Sequence, residues 1–196
     1  IQTRYEDLTA DNTLDCGGRD AAATTSIYLV GWGPNKVHGI YPRGSSGGLR
    51  HTDRGIQTEQ TSTSLGGTKL LAYEDVYAWD AGLVVKDWRF CCRLANIEYA
   101  DLANVDGDQA ISTSTYDTNI LFQMANALHR IPNLNACSPV FYMNRAVFAA
   151  FDRMALATTT SNVFKTADVN GEVQTSFRGV PLKICDQIIN AEAVVD

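Results

Sequence analysis

The stretch that decides the fold is PVFYMNRAVFAAFDRM, residues 139–154. Bulky apolar residues up to Met143 are typical of a buried strand, and the run after Asn144 has the spacing of an amphipathic helix. The sequence therefore predicts a strand at 138–143 and a helix at 144–156, with almost no connector. Asn144 is the predicted N-cap, because its side chain can accept a hydrogen bond from a first-turn N–H.

Many enzymes place a catalytic residue at such a strand-to-helix junction, so Asn144 and Arg145 need to be considered for chemistry. Asn144 has no general base close by in the sequence, and Arg145 is unaccompanied there. Helix capping is a sufficient reason for an Asn at this position. We therefore interpret the junction as structural.

Further elements are predicted on both sides of this junction. A helix is expected at 117–131, with Asp117 as its N-cap. Downstream, Asn-Gly at 170–171 indicates a hairpin or long loop within 158–179, because this dipeptide is a strong turn signal. A last strand is expected at 180–188, where apolar residues alternate with Lys.

The first half of the chain predicts β structure. Residues 27–33 and 37–42 are predicted to be a pair of strands around a turn at Pro34. The strongest β signal lies at 69–90, and period-2 spacing puts four large side chains on one face. These four residues are Leu71, Tyr73, Tyr77 and Trp79, with Glu74 and Asp80 on the other face. Residues 43–68, with six glycines and many Ser and Thr, are predicted to be a long polar loop or edge excursion.

Composition sets the class of protein. The chain has 196 residues, 45% of them hydrophobic and 19% charged, which suits one globular domain or two small ones. No stretch approaches the roughly 20 apolar residues that span a bilayer. The net charge of −6 argues against a dedicated nucleic-acid binder. The cysteines are odd in number and irregularly spaced, which predicts reduced, mostly buried thiols: Cys16, Cys91, Cys92, Cys137 and Cys185.

No motif predicts catalysis, a cofactor or a metal. A catalytic triad would need one of the three histidines, His38, His51 or His129, and no G-x-S-x-G is present. GWGPNK and GSSGG lack the G-K-[ST] of a phosphate loop. VDGD at 105–108 and DVNG at 168–171 lack the ligand spacing of an EF-hand. We therefore predict a non-enzyme without catalytic, cofactor-binding or metal-binding residues, and keep a hydrolase or transferase using His38 or His129 as an alternative.

Several strings resemble the major capsid proteins of tailed phages, in particular the gene-product-7-like proteins of short-tailed phages. They are PVFYMNRAVFAAFDRMA, FRGVPLKICDQI, TSIYLVGWGPNKVHGIYPRGSSGGL and WDAGLVVKDWRFCCRLANI, and the likeness covers most of residues 4–189. VHGIYP and KDWR are the more specific pieces. This resemblance implies an α+β fold of the Hong Kong 97 type, with a peripheral domain, an axial domain and an extended β-loop.

The resemblance also implies a domain division. Residues 1–101 are expected to be mainly the peripheral domain, with the 43–68 loop reaching neighbouring subunits. Residues 102–183 are expected to form the axial domain, and residues 184–196 the return strand and tail. The N-terminal arm and the long spine helix of this fold have no counterpart before residue 27, so we expect the sequence to be a piece of a longer protein.

The implied function is that of a structural capsid protein of a tailed bacteriophage or prophage. It would self-assemble through pentamers and hexamers into the icosahedral shell around the DNA, which it would contact non-specifically. Expected partners are scaffolding and portal proteins, with decoration proteins as a further candidate, and no membrane. The expected locations are the virion and, during assembly, the bacterial host cytoplasm. A cellular encapsulin-like shell protein is the alternative from the same fold.

Overall fold

The computed structural model describes residues 12–18, 23–60, 69–98, 120–157, 164–169 and 172–195. The chain divides into two compact units. The first, here called the body, comprises Ile1–Val37 and Val85–Asp196, and the second, here called the hairpin unit, comprises His38–Val84.

The described residues form an α+β arrangement in which strands outnumber helices. The two α-helices are α1 (Ile120–Arg130) and α2 (Arg145–Ala157). The strands are β1 (Thr13–Asp15), β2 (Thr24–Trp32), β3 (Val37–Ile40), β4 (Leu49–Gln60), β5 (Lys69–Trp79), β6 (Gly82–Val85), β7 (Cys91–Glu98), β8 (Ser138–Met143), β9 (Phe164–Val169), β10 (Glu172–Phe177) and β11 (Val180–Ile184).

The body is built on a mixed sheet with the strand order β1-β7-β2-β8-β11-β10-β9. Strand β2 lies near its centre and is antiparallel to both β7 and β8. Strand β11 runs parallel to β8, and β1 runs parallel to β7. A connection between parallel strands needs a long crossover, and between β8 and β11 the chain supplies α2 and the β9–β10 hairpin.

The core lies between this sheet and the two helices. Helix α1 packs on β7 and β1, and helix α2 contacts β11. The strand side of the core contains the fully buried Ile27, Leu29, Leu94, Phe141 and Met143. The helices contribute buried residues at helical spacing, namely Met124, Ala127 and Leu128 from α1 and Val147, Ala150 and Phe151 from α2.

The junction at Asn144 forms as the sequence predicts. Strand β8 ends at Met143 and α2 begins at Arg145, so Asn144 is the whole connector. The hairpin prediction within 158–179 is also confirmed, because Val169 of β9 pairs with Glu172 of β10. Helix α1 lies within the predicted 117–131, whereas Asp117 falls outside the described residues. The last strand ends at Ile184, four residues before the predicted end.

The two strands predicted at 27–33 and 37–42 form as β2 and β3 with a turn between them, but they do not pair as a hairpin. Strands β2 and β3 meet at one residue pair, Trp32 and Val37. The physical reason is that both edges of β2 are already occupied, since Val30 pairs with Cys91 of β7 on one side and with Val140 of β8 on the other. A hairpin partner would have no free edge to join.

The predicted polar loop at 43–68 is also corrected in part. Residues 49–60 form β4, which pairs antiparallel along its whole length with β5. Local sequence favours a loop here because of its Gly, Ser and Thr content, but β5 supplies a complete row of backbone partners. Residues 61–68 lie outside the described residues. The peripheral and axial assignments concern positions in a shell, so the division at residues 101 and 183 stays a prediction.

Candidate functional site

The hairpin unit contains a long two-stranded ribbon formed by β4 and β5. Its pairing runs from Leu49 opposite Trp79 to Gln60 opposite Lys69. Within the described residues, this sheet has no third strand. An isolated two-stranded ribbon is marginally stable in water, so a ribbon of this length is expected to gain stability from contact with another surface.

A bulge in β4 decides which side chains share a face of the ribbon. The register shifts between Asp53 and Gly55, leaving Arg54 as the extra residue. Gly55 has a φ of 66°, which favours glycine, and its N–H donates to Asp53 Oδ1 at 2.7 Å. Because side chains alternate, the extra residue turns Ile56 to the same face as Asp53, directly opposite Tyr73.

One face of the ribbon is therefore rich in aromatic and aliphatic side chains, and we call it the aromatic face. Its members from β4 and β5 are Leu49, His51, Asp53, Ile56, Thr58, Leu71, Tyr73, Asp75, Tyr77 and Trp79. Tyr73 is 84% exposed, Leu71 74% and Trp79 73%. Contiguous exposed apolar surface of this kind marks interaction sites on proteins. The predicted grouping of Leu71, Tyr73, Tyr77 and Trp79 on one face is thus confirmed.

The opposite face of the ribbon carries cross-strand ion pairs. Arg54 pairs with Glu74 at 2.8 Å, and Arg50 pairs with Asp80, just past the end of β5, at 2.7 Å. Such exposed pairs contribute little free energy, but they engage both arginines with these carboxylates. The base of the ribbon is closed by a backbone hydrogen bond from Asp80 N–H to the Gly48 carbonyl.

His51 lies on the aromatic face and is held by two neighbours. Its Nε2 lies 3.1 Å from Asp75 Oδ1, and its ring stacks on Tyr77 with centroids 4.6 Å apart. These contacts fix the ring orientation on the face. They explain the position of His51 on this surface, and neither contact is with a serine or a cysteine.

The other two histidines lie in different units of the molecule. His38 is on β3 of the hairpin unit, and its buried Nδ1 has no hydrogen-bond partner among the described residues. His129 is exposed in the last turn of α1, where a basic side chain suits the helix dipole. Among the described residues, neither histidine is hydrogen-bonded to a serine or a carboxylate, so no catalytic constellation supports the hydrolase alternative.

Asn144 and Arg145 have structural partners that sequence separation hides. Asn144 Oδ1 accepts from Ala146 N–H at 2.8 Å, which is the predicted cap, and its Nδ2 donates to the carbonyl of Ile188. Arg145 binds Asp186 in a two-pronged pair, with Nη2 2.8 Å from Oδ2. The hydrogen bonds from Arg145 lower the pKa of Asp186. These residues stabilise the join between α2 and the segment after β11.

The five cysteines are free thiols. Burial raises the pKa of Cys92 to about 12, and burial also raises the pKa of Cys16. A thiol nucleophile requires the thiolate, which these shifts disfavour at neutral pH. Cys92 is fully buried, whereas the other four are half-buried, so the prediction of mostly buried thiols was too strong.

The described residues contain no cluster of three or more His, Cys, Asp or Glu side chains that could hold a metal ion. VDGD at 105–108 lies outside them, and Asp168 and Val169 of DVNG belong to β9. No described helix has the length and apolar character needed to cross a membrane.

Comparisons with known proteins find a matching family and similar solved structures. A family model described as Major capsid protein GP7 matches residues 1–196. A chain in the near-atomic cryo-EM structure of bacteriophage Epsilon15 is similar, with a TM-score of 0.59 and 24% sequence identity. The match covers 100% of this chain and 58% of the Epsilon15 chain. This likeness confirms the predicted α+β fold class of the Hong Kong 97 type. No curated protein sequence matches significantly.

Proposed function

The chain belongs to the major capsid protein GP7 family, and from that premise we propose that it forms icosahedral phage heads with copies of itself. Its role is structural, as the family implies. The chain spans 58% of the Epsilon15 chain, and we propose assembly for the whole protein.

The observation that carries the proposal is the aromatic face of the ribbon. Leu71 and Tyr73 expose most of their surface to water, although burying such side chains is favourable by about 2 kcal/mol each. A neighbouring copy that covers this face would supply that burial. Many contacts of this kind, each modest, give a closed shell large collective stability because each raises the effective concentration for the next.

The finer parts of the proposal concern the capsomers and the partners. We propose that the subunits form pentamers and hexamers, with residues 1–101 mainly peripheral, residues 102–183 axial and residues 184–196 as return strand and tail. Scaffolding, portal and decoration proteins are the proposed partners during assembly in the bacterial host cytoplasm. The enclosed DNA would be confined without sequence-specific contacts, which is compatible with a net charge of −6.

Electron microscopy tests the proposal directly. The full-length product, expressed together with its scaffolding partner, is expected to give closed shells of uniform diameter. Material that stays monomeric or amorphous in repeated preparations would count decisively against a capsid subunit. The neighbouring genes give an independent check, since portal, protease or scaffold genes are expected beside it, and a cellular gene context would favour the encapsulin-like alternative.

A further inference from the structure

Residues 188–195, here called the strap, cross the ends of three adjacent strands of the body sheet. Asn144, which follows β8, binds the Ile188 carbonyl through its Nδ2. The strap then reaches Thr24 at the start of β2 and Asn96 near the end of β7. Apart from one bridge to Thr24, the strap forms no regular structure, so it depends on contacts with side chains of the body.

Two residues of the body bind the main chain of the strap at both its donor and its acceptor groups. The Thr24 carbonyl accepts the Glu192 N–H at 2.9 Å, and the Thr24 hydroxyl donates to the Glu192 carbonyl at 3.0 Å. Asn96 Oδ1 accepts the Val195 N–H and Asn96 Nδ2 donates to the Val195 carbonyl, each at 2.9 Å. Contacts of this kind recognise an extended peptide through its backbone.

One side chain of the strap makes the contact specific. The Glu192 carboxylate lies 3.0 Å from Arg93 Nη2, and the Ser26 hydroxyl also donates to it. Arg93 Nε donates to Ser26 Oγ at 3.1 Å, so the two groups that bind the carboxylate also hold each other. Ile188 and Val195 are buried on either side of Glu192 along the strap. The strap is therefore bound as an acidic residue between two aliphatic anchors.

The residues that bind the strap are held by elements that do not need it. We call these residues the strap site: Thr24, Ser26, Arg93, Asn96 and Asn144. The first two lie on β2 and the next two on β7, and these strands pair with each other. Asn96 has a φ of 56°, its carbonyl accepts the Gly18 N–H, and its Nδ2 also donates to Asp15 Oδ1. The strap site should therefore keep its shape when the strap leaves it.

The closed strap does not satisfy all of its own polar groups. Asn190 buries its Oδ1 without a hydrogen-bond partner among the described residues, which disfavours the closed state. Ile189 beside it is 57% exposed, so this part of the strap buries little apolar surface. A segment with few buried apolar contacts opens locally at less than the cost of global unfolding. We therefore expect the strap to open while the sheet stays folded.

We propose that the strap site is a peptide-docking site, which residues 188–195 fill in the same chain and which the strap of a second copy fills when the first strap is open. The contacts are the same in both arrangements, so the exchange costs little beyond opening the strap. The chemistry of the occupant is a glutamate with a buried aliphatic residue on each side along the strap. Docking of this kind takes place without a shell, and so goes beyond the proposed shell function.

A labelled peptide with the sequence of residues 186–196 tests the docking in solution. Its target is the Val195→Ser variant of the whole chain, whose strap lacks one anchor while its strap site is unchanged. Fluorescence anisotropy should show at least about tenfold tighter peptide binding to this variant than to wild type, because the competing strap is open more often. The same peptide with Glu192→Ala should bind at least about tenfold more weakly, because it lacks the carboxylate for Arg93.

Two further variants of the whole chain make the peptide result interpretable. Ile189→Ser is the matched control, because it puts serine at an exposed aliphatic position of the strap, and it should leave peptide affinity within about twofold of wild type. Glu192→Ala opens the strap through a different contact and should strengthen peptide binding as Val195→Ser does. Circular dichroism checks that the variants are folded. Peptide binding that neither strap variant strengthens, or that does not depend on the peptide's glutamate, would overturn the docking site.

Exchange between copies has a separate test with two complementary variants. Asn96→Gly keeps the left-handed backbone conformation but removes the amide that binds Val195, so this chain has an intact strap and a weakened strap site. Val195→Ser has the reverse defect. When the two variants carry a donor and an acceptor dye and are mixed without scaffolding partner, energy transfer should show a mixed dimer. Energy transfer no higher than between two wild-type chains would refute the exchange, while shell assembly and the proposed function would be unaffected.

Discussion

Asn144 is joined to Ile188, 44 residues further along the chain, by a hydrogen bond from its Nδ2 to the Ile188 carbonyl. The same side chain caps α2 through the Ala146 N–H. One amide thus satisfies an orphan donor of a helix and an acceptor of the C-terminal segment at once. The residue that looked most like a catalytic candidate in the sequence is accounted for by this double structural role.

Replacing Asn144 should separate its two bonds. Asn144→Ala removes both and is expected to lower the free energy of unfolding by about 2–3 kcal/mol, the sum of a lost cap and a lost buried hydrogen bond. Asn144→Asp keeps the cap and loses the Nδ2 donor, so its cost should be intermediate. Urea denaturation of the three proteins measures the order. An Ala variant as stable as wild type would refute the double role.

The pair between Arg145 and Asp186 predicts an acid-dependent effect. Its hydrogen bonds lower the folded pKa of Asp186, so the pair's contribution to stability is present above the ordinary Asp value of about 4 and is lost as pH falls through the lowered value. Arg145→Ala should return the Asp186 pKa towards that ordinary value. The free energy of unfolding should then fall less steeply as the pH is lowered through this acidic range. An NMR titration of the Asp186 carboxyl carbon measures the change, and an unmoved pKa would contradict it.

Two glycines at the base of the ribbon share a backbone conformation and differ in their surroundings. Gly44 and Gly48 both have a φ of +91°, but a Cβ at Gly48 would lie 2.3 Å from the Asp80 carbonyl oxygen, whereas a Cβ at Gly44 meets nothing within 4 Å. Gly44→Ala should cost about 1–2 kcal/mol, for the left-handed conformation alone. Gly48→Ala should cost clearly more and should expose the Asp80 amide in hydrogen exchange. Equal losses in the free energy of unfolding for the two substitutions would contradict the predicted clash between a Cβ at Gly48 and the Asp80 carbonyl oxygen.

A largely buried ion pair fastens the C-terminal segment to the body sheet. Arg93 Nη2 lies 3.0 Å from Glu192 Oε2, with side chains 11% and 16% exposed, and Ser26 also binds this carboxylate. Glu192→Gln leaves the guanidinium without its counter-charge and should cost about 3 kcal/mol in urea denaturation. The combined Arg93→Met and Glu192→Met variant should cost less than this single change. The matched amide change Asp186→Asn, in an exposed pair, should have a much smaller effect, and equal effects would refute the burial argument.

Local sequence predicts the body better than the hairpin unit, for physical reasons. The junction at Asn144 and the Asn-Gly hairpin follow from nearby residues, because caps and tight turns depend on short-range geometry. Local sequence does not predict strand β4, because its polar, Gly-containing residues are held in strand conformation by their pairing with β5. The pairing of β2 with β7 and β8 likewise depends on strands far away in the sequence.

The aromatic face shows a second limit of sequence patterns. Period-2 spacing correctly groups the four large side chains of β5, but the same pattern is typical of a face turned to a core and of a face presented to a partner. The contribution of Ile56 could be found only by knowing that the bulge at Arg54 shifts its alternation. Gly55 alone does not predict this bulge, because its hydrogen bond to the Asp53 side chain is visible only in the folded ribbon.

Two adjacent leucines provide the most direct test of the central claim, that the molecule works by placing the aromatic face against copies of itself. Leu71 is on that face and Leu70 is on the opposite one, and both are exposed. Each is changed to Ser in the full-length subunit, and shells formed with the scaffolding partner are counted by electron microscopy and sedimentation. The account predicts that Leu71→Ser abolishes or strongly reduces shells while Leu70→Ser assembles like wild type, with both variants equally folded. Equal assembly of the two variants would contradict it.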